Sequence, residues 1–258
     1  MRLVALVLAL VLATPVFAER RAVVIENPAA SPAALGPALE SRGFAVFGGA
    51  GLSAAAMRAA LARLLADGAP AERIVVVLAG QFVHSDAGAW YLGQGVQPGT
   101  QSIATIGGGA IDLASVYLIA ALAPAGAVVV LAEEEVAAAG TGLAPGVGAL
   151  ADIPQGITVI RGPKAEVAQF LDRDLLRPGA TLHAALAARP RLEAAGLLLP
   201  GLAFIPAGEA PQPPVDAIAA AEARDWAAAR RVDTTAAYDA FLAAWPAGQN
   251  AAAARAAR

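Results

Sequence analysis

The feature that most constrains the fold is an uninterrupted apolar run, Ile74-Val75-Val76-Val77-Leu78. Four of its five side chains are β-branched, and no polar residue alternates with them. Such a run is typical of a strand that is covered on both faces. Strands of this kind belong to parallel sheets, because helices pack on both sides of those sheets. The run therefore predicts a central strand of an α/β domain.

Strand and helix patterns alternate on both sides of this run. Short apolar segments predict further strands at residues 21–25, 44–47, 128–131 and 157–160. Helices are predicted at residues 33–42 and 165–176, and after the N-cap residues Ser53 and Asp112. A β-hairpin is predicted around Ser85-Asp86-Ala87-Gly88, and the Ala/Leu-rich residues 181–199 predict another helix. Repeated βαβ units predict a mostly parallel, doubly wound sheet flanked by helices.

The first 18 residues have the pattern of a secretory signal peptide. Met1-Arg2 is a short basic region, an apolar stretch follows, and Val16-Phe17-Ala18 fits a cleavage site before Glu19. The interpretation is an exported, periplasmic protein with no membrane span after the signal is removed. A retained N-terminal anchor is the alternative.

Charge and composition exclude several classes of function. The formal net charge is −3, which argues against nucleic acid as a partner, because phosphates require a basic surface. The chain contains no cysteine, so it has neither a thiol nucleophile nor a thiolate metal site. With two histidines and scattered acidic residues, no metal and no cofactor is predicted.

Several segments resemble the caspase and metacaspase-like cysteine peptidases by their order along the chain. They are RAVVIEN, LESRGFAVF, SAAAMRAALARLL, ERIVVVLAG, WYLGQGV, IDLASVYLIAAL and AVVVLAEEE. The resemblance extends from Arg21 to about Arg161. It implies a caspase-like α/β domain at residues 19–199 with a small C-terminal helical appendage.

The same resemblance concerns two catalytic positions. In the family, a histidine after the third strand is the general base and a cysteine after a later strand is the nucleophile. The matching positions here hold Gln81 and Glu134. Glutamine has no titratable proton near neutral pH, and glutamate attacks amides poorly. The resemblance thus implies a catalytically inactive domain that acts in binding or scaffolding. It would do so through the cleft that holds the substrate in active members of the family, or through the C-terminal helices.

An active hydrolase of changed chemistry is the alternative function. Its acidic groups would be Glu133, Glu134 and Glu135, with Asp86 as a further member, because paired carboxylates perform acid–base chemistry. The simpler interpretation of these glutamates is a solvated turn. A second basic residue or a metal beside Glu134 would favour the enzyme, whereas a cleft lined by apolar and alanine side chains would favour the binding protein.

Two other motifs have simpler interpretations. His84-Ser85-Asp86 contains the residue types of a serine triad, but consecutive side chains at a hairpin tip point apart, which favours a polar turn. Residues 49–54 match G-x-G-x-x-A between a strand and a helix. The acidic residue expected after the next strand is replaced by Gln81, so nucleotide binding is not favoured.

The last part of the chain is divided by a proline-rich linker at residues 200–214. The tail at residues 215–258 is predicted to form a helical hairpin, with breaks near residues 232–234 and 246–248. It resembles the hairpin that follows caspase-like domains in some bacterial proteins. An aromatic stripe at helical spacing is predicted to pack on itself or on the α/β domain, with the domain favoured, or to bind a partner; its residues are Tyr238, Phe241, Leu242 and Trp245.

Overall fold

The computed structural model describes residues 20–27, 35–65, 71, 73–123, 126–198, 201, 203–207, 215–246 and 248–258. The predicted signal peptide and its cleavage site before Glu19 lie outside these residues. Within the described part of the chain, no helix is both long and apolar enough to cross a membrane.

Strands and helices alternate along the first two thirds of the chain, and helices alone form its end. The strands are β1 Arg20–Asn27, β2 Phe44–Ala50, β3 Arg73–Gly80, β4 Phe82–Ser85, β5 Gly88–Leu92, β6 Ala110–Asp112, β7 Ala127–Glu133, β8 Ala144–Pro145, β9 Ile157–Pro163 and β10 Glu193–Gly196. The helices are α1 Leu35–Glu40, α2 Ala54–Arg63, α3 Ile106–Gly109, α4 Leu113–Ala120, α5 Lys164–Gln169, α6 Leu182–Ala187, α7 Val215–Val232, α8 Thr235–Ala244 and α9 Ala251–Ala257. A π-helical turn, Phe170–Leu175, continues α5.

The main sheet has six strands in the order β10-β9-β7-β3-β1-β2. The four pairs from β2 to β9 are parallel, and β10 pairs with β9 in the antiparallel direction. The prediction of an α/β fold with a mostly parallel sheet flanked by helices is confirmed, as is the presence of C-terminal helices.

Both faces of the sheet are covered, which explains the unbroken apolar run in β3. Val76 and Leu78 belong to the core beneath α2 and α4, whereas Val75 and Val77 belong to the core beneath α1, α5 and α6. Successive side chains of a strand point to opposite faces, so a strand buried on both faces needs an apolar residue at every position.

The two predicted N-caps are present. The Ser53 hydroxyl accepts a hydrogen bond from the Ala56 amide at 3.3 Å. The Asp112 carboxylate accepts from the Ser115 amide at 3.1 Å. Each cap satisfies an amide at a helix start that has no partner within the helix.

The helix predicted over residues 181–199 is wrong beyond Ala187. Pro190 lacks an amide proton and prevents the helix from continuing. The chain then turns back as β10, in which Ala194 pairs with Ile160 of β9. The backbone bonds of this edge strand outweigh the helical preference of its alanines.

Part of the predicted linker packs against the α/β domain. Phe204 and Ile205 are buried in the core beneath α1 and α6. The Phe204 ring stacks on Phe44 with 6.2 Å between the ring centroids. The Arg73 guanidinium lies 5.6 Å from the Phe204 ring centroid and donates a hydrogen bond to the Phe204 carbonyl. Residues 208–214 of the predicted linker lie outside the described residues.

A second, smaller sheet has the strand order β6-β5-β4-β8. Its central pair is the predicted hairpin, in which Ser85 of β4 pairs with Gly88 of β5. Because β4 starts just after β3 ends, this small sheet lies beside the carboxyl end of the main sheet. The segment from β8 to β9 lies next to it, since the Gly146 amide donates to the Phe82 carbonyl at 2.9 Å.

Candidate functional site

The two positions matched to catalytic residues by the resemblance are brought together. Gly80, the last residue of β3, is in register with Glu133, the last residue of β7. The Glu134 amide donates to the Gly80 carbonyl at 2.8 Å. Gln81 and Glu134 therefore follow the ends of neighbouring parallel strands, where ligand sites of α/β proteins are commonly found.

The uncharged side chains of Tyr91 and Asn27 form hydrogen bonds to backbone groups near Gln81. The Tyr91 hydroxyl lies 2.8 Å from the Ala79 carbonyl oxygen and 3.1 Å from the Ile25 carbonyl oxygen. Burial strongly raises the pKa of Tyr91, so the phenol stays protonated and serves as a donor. The Asn27 side chain accepts from the Leu52 amide at 2.8 Å. These contacts are structural and supply no general base beside Gln81.

The three consecutive glutamates have three different environments. Glu133 accepts a hydrogen bond from the Val147 amide at 3.1 Å. Glu134 forms an ion pair with Lys164, with 2.8 Å between Oε1 and Nζ. Glu135 is exposed and forms no ion pair within the described part of the chain. The three residues border one cleft, referred to below as the glutamate cleft, but their carboxylates contact different groups and are not arranged around a common proton.

The cleft that these glutamates border is open and has a volume of about 620 Å³. Arg161 and Glu193 form its opposite wall, with 2.8 Å between Arg161 Nε and Glu193 Oε2. Arg161 also donates to the Gly148 carbonyl. The guanidinium thereby connects β9 to β10 and to the loop after β8.

Replacing this guanidinium is expected to loosen the cleft wall. Arg161→Met keeps an unbranched apolar chain in place of the arginine stem but removes the hydrogen bonds to Glu193 and Gly148. We expect a loss of about 1–2 kcal/mol in the free energy of unfolding, because the Arg161 side chain is partly buried but Glu193 is exposed. Urea denaturation measures the change, with Arg177→Met as the control. Equal stability of the two variants would contradict this role for Arg161.

Sequence reasoning missed Lys164, Arg161 and Glu193 as members of this cleft. The signal that was available is their location after or beside a predicted strand, 157–160, whose carboxyl end meets that of β7 in a parallel sheet. The sequence pattern did not show that β9 is the neighbour of β7, so these residues had no assigned place.

The hairpin residues lie in a different place from the glutamates. Asp86 is not part of the lining of the glutamate cleft. The Ser85 hydroxyl accepts from the Ala87 amide at 3.1 Å, and His84 Nδ1 lies 3.1 Å from the Gly146 carbonyl oxygen. Both side chains bond to a nearby backbone group, as expected for a polar turn. The alternative that combined Asp86 with the glutamates in one site is not supported by this arrangement.

The glycine-rich loop before α2 already uses its amides within the protein. The Gly51 amide donates to the Glu26 carbonyl at 2.9 Å, and the Leu52 amide donates to Asn27 Oδ1 at 2.8 Å. A phosphate-binding loop would direct such amides to the ligand. In the described part of the chain there is also no group of three or more His, Asp or Glu residues arranged to hold a metal ion.

The aromatic stripe of the tail packs within the tail. Tyr238 and Phe241 are 4% and 3% exposed and form a core with Ala229 and Ala254, which Trp226 covers. The Trp226 ring centroid lies 5.3 Å from that of Phe241. These two residues therefore follow the alternative in which the stripe packs within the tail, and the favoured prediction of packing on the α/β domain is wrong for them. The long helix α7 supplies the apolar surface against which they pack.

The other two stripe residues, Leu242 and Trp245, are partly buried against the same core. The Trp245 indole donates to Asp225 at 2.9 Å, and the Tyr238 hydroxyl donates to Asp233 at 2.6 Å. Partner binding by this stripe stays a prediction, and it requires either the exposed edges of Leu242 and Trp245 or an opening of the tail.

The sequence matches no protein-family model and no curated protein.

Proposed function

We infer that the protein is an exported binding or scaffolding protein built on a caspase-like α/β domain without peptidase activity. The observation that carries this proposal is that Gln81 and Glu134 directly follow the ends of adjacent strands, with Glu134 held by Lys164 at 2.8 Å. A peptidase of this family needs a base and a nucleophile at these two positions, and neither side chain supplies one.

Three features of the cleft support a binding role. Glu134 is paired with Lys164, which occupies its carboxylate. Glu133 is bonded to a backbone amide, so it is not paired with Glu134 as a second acid. Glu135 is exposed beside an open cleft, where a partner can contact it. We place the interaction surface of the protein at this cleft.

Peptide hydrolysis is expected to be absent. The purified protein should release no product from fluorogenic peptides with Arg, Lys or Asp before the scissile bond. The physical reason is that the chain contains no thiolate and Gln81 is no base. Turnover above that of a buffer blank would overturn the proposal. If that turnover were lost in Glu134→Gln, the glutamate cleft would be an active site of changed chemistry.

Two observations favour the hydrolase alternative. Lys164 lies beside Glu134, and a basic neighbour is a common part of an acid–base site. The cleft is also lined largely by charged residues and by no alanine, whereas a lining of apolar and alanine side chains was the arrangement expected for a binding protein. Against it, Glu133 and Glu134 make contacts with different partners, whereas two-carboxylate hydrolases hold both groups around one bond. The peptide assay separates the two functions.

The binding role has a matched test. Periplasmic extract is passed over immobilised protein, and the same capture is repeated with Glu135→Arg and with Asp172→Arg. Both carboxylates are exposed, but Asp172 lies on the π-helical turn away from the cleft lining. A partner that binds at the cleft is retained by the Asp172 variant and lost by the Glu135 variant. Equal capture by both variants would remove the cleft from the proposal.

A further inference from the structure

A second cavity of about 470 Å³ lies between the hairpin tip, the first turns of α4 and the segment that precedes β9. Asp86, Tyr117 and Asp152 each contribute to its lining, and Ala87, Ala114 and Ala151 form part of its apolar wall. This volume lies within the usual range for small-molecule sites, about 300–1,000 Å³. None of the glutamates that border the glutamate cleft lines this cavity.

Tyr117 is the first indication of a ligand. The residue is 7% exposed and lines the cavity. Its hydroxyl forms no hydrogen bond with the residues that the structure describes. Burial raises the pKa of Tyr117 to about 12, so the group is a neutral hydroxyl at physiological pH. Buried hydroxyls normally have a partner, and a ligand in this cavity supplies one.

The charge of the cavity is the second indication. Asp86 and Asp152 are exposed carboxylates without an ion pair in the described ranges. No lysine or arginine lines the cavity. The charge of Arg161 reaches Tyr117, but its guanidinium is already bonded to Glu193 and to the Gly148 carbonyl. The cavity is therefore suited to a cation.

His84 also lines this cavity. Its Nδ1 lies 3.1 Å from the Gly146 carbonyl oxygen, which can only accept, so Nδ1 carries the proton. The two carboxylates and the Tyr117 hydroxyl give the lining oxygen acceptors, whereas its apolar wall suits a methylene chain.

We propose that this cavity binds a small aliphatic diamine, whose ammonium groups contact Asp86 and Asp152 while one of them bonds the Tyr117 hydroxyl. An alkylammonium carries three donors, which matches an acceptor-rich lining. A metal ion fits less well, because the described residues contain no cluster of three metal-ligating side chains. An amino acid fits less well too, because its carboxylate would meet no cationic side chain in the lining. The proposal concerns a site separate from the glutamate cleft and does not depend on the proposed function.

The test is isothermal titration calorimetry of the purified protein with 1,4-diaminobutane. We expect saturable binding of one molecule. The matched control ligand is 4-aminobutanoate, which has the same chain length but replaces one ammonium by a carboxylate, and it is expected not to bind. Magnesium chloride at the same ionic strength is expected to leave the diamine affinity unchanged.

Three variants locate the site. Asp86→Asn and Asp152→Asn are each expected to weaken diamine binding at least about tenfold, because each removes a charge-assisted hydrogen bond. Asparagine also tolerates the left-handed backbone of Asp152, whose φ is 52°. Tyr117→Phe keeps the packing of α4 and is expected to weaken binding as well. The control Asp172→Asn, an exposed carboxylate elsewhere, is expected to bind like the unmodified protein.

Several results would overturn the proposal. The first is the absence of saturable heat up to about 10 mM diamine, because a dissociation constant above that concentration is weaker than a specific site gives. The second is equal binding of the diamine and 4-aminobutanoate. The third is full affinity for the diamine in the Asp86→Asn/Asp152→Asn double variant. Thermal melting without ligand checks that each variant is folded. Activity in the peptide assay would overturn the proposed function and leave this result unaffected.

Discussion

Gly80→Ala is expected to lower the free energy of unfolding of the α/β domain by about 3–5 kcal/mol. Gly80 ends β3 with φ at 151°, a backbone conformation that side chains with a Cβ rarely adopt. A Cβ at this position would also lie 1.8 Å from the Asn27 carbonyl oxygen of β1. The clash is with backbone, so no side-chain rotation relieves it, and the strands must separate locally.

The matched control for this substitution is Gly107→Ala. Gly107 lies in the short helix α3, and a Cβ there would meet no atom within 4 Å. Alanine is favoured over glycine in a helix, so this variant should be as stable as the unmodified protein or slightly more so. Urea denaturation followed by circular dichroism compares the two. A Gly80 variant that unfolds at the same urea concentration as the control would contradict the close approach of β1 and β3.

The same substitution is also expected to disturb the candidate site. The Gly80 carbonyl accepts the Glu134 amide, which positions the first residue after β7. Any shift of Gly80 therefore moves Glu134 relative to Lys164. A partner that binds at the glutamate cleft should bind the Gly80 variant more weakly under conditions in which the variant is still folded.

Phe241→Ala is expected to unfold the tail while the α/β domain stays folded. Removing a buried phenylalanine costs about 3–5 kcal/mol. A unit of the length of residues 215–258 has a total stability of roughly 2–7 kcal/mol at the usual value per residue. Phe241 is 3% exposed, and its ring contacts Trp226 of α7, so its loss removes the centre of this small core.

Hydrogen exchange measured by mass spectrometry distinguishes the two parts of the chain. Protection should be lost in α8 and α9, whereas β1, β3 and β7 should exchange as slowly as before. The control is Val232→Ala, because Val232 is 62% exposed at the end of α7. Simultaneous loss of protection in the sheet would show that the tail and the α/β domain unfold as one unit, and unchanged protection in α8 would show that Phe241 is dispensable.

The local elements were predictable because their signals are local. The apolar run of β3, the N-caps Ser53 and Asp112 and the hairpin at Ser85 and Gly88 each depend on a few consecutive residues. Side-chain periodicity and cap chemistry act within one turn or one strand, so they are visible in the sequence. The fold class followed from the alternation of these elements.

Contacts between distant segments were not predictable in this way. Residues 193–196 consist of Glu, Ala, Ala and Gly, which have no strand preference, yet they form β10 because β9 offers an unpaired edge. Phe204 lies in a proline-rich segment that composition alone assigns to a linker, but its ring fits against Phe44. In both cases the partner is supplied by the assembled domain.

The features of the candidate site also fall into two groups, those that the sequence sets and those that the tertiary structure sets. The sequence by itself determined that the chain contains no thiol, that Gln81 and Glu134 follow predicted strands, and that three carboxylates occur together. The tertiary structure alone decided that Lys164 pairs with Glu134 and that Glu133 bonds the Val147 amide. The physical reason is that charge and hydrogen bonding depend on distances of a few ångströms between residues far apart in the chain, which only the packing of β7, β9 and their loops establishes.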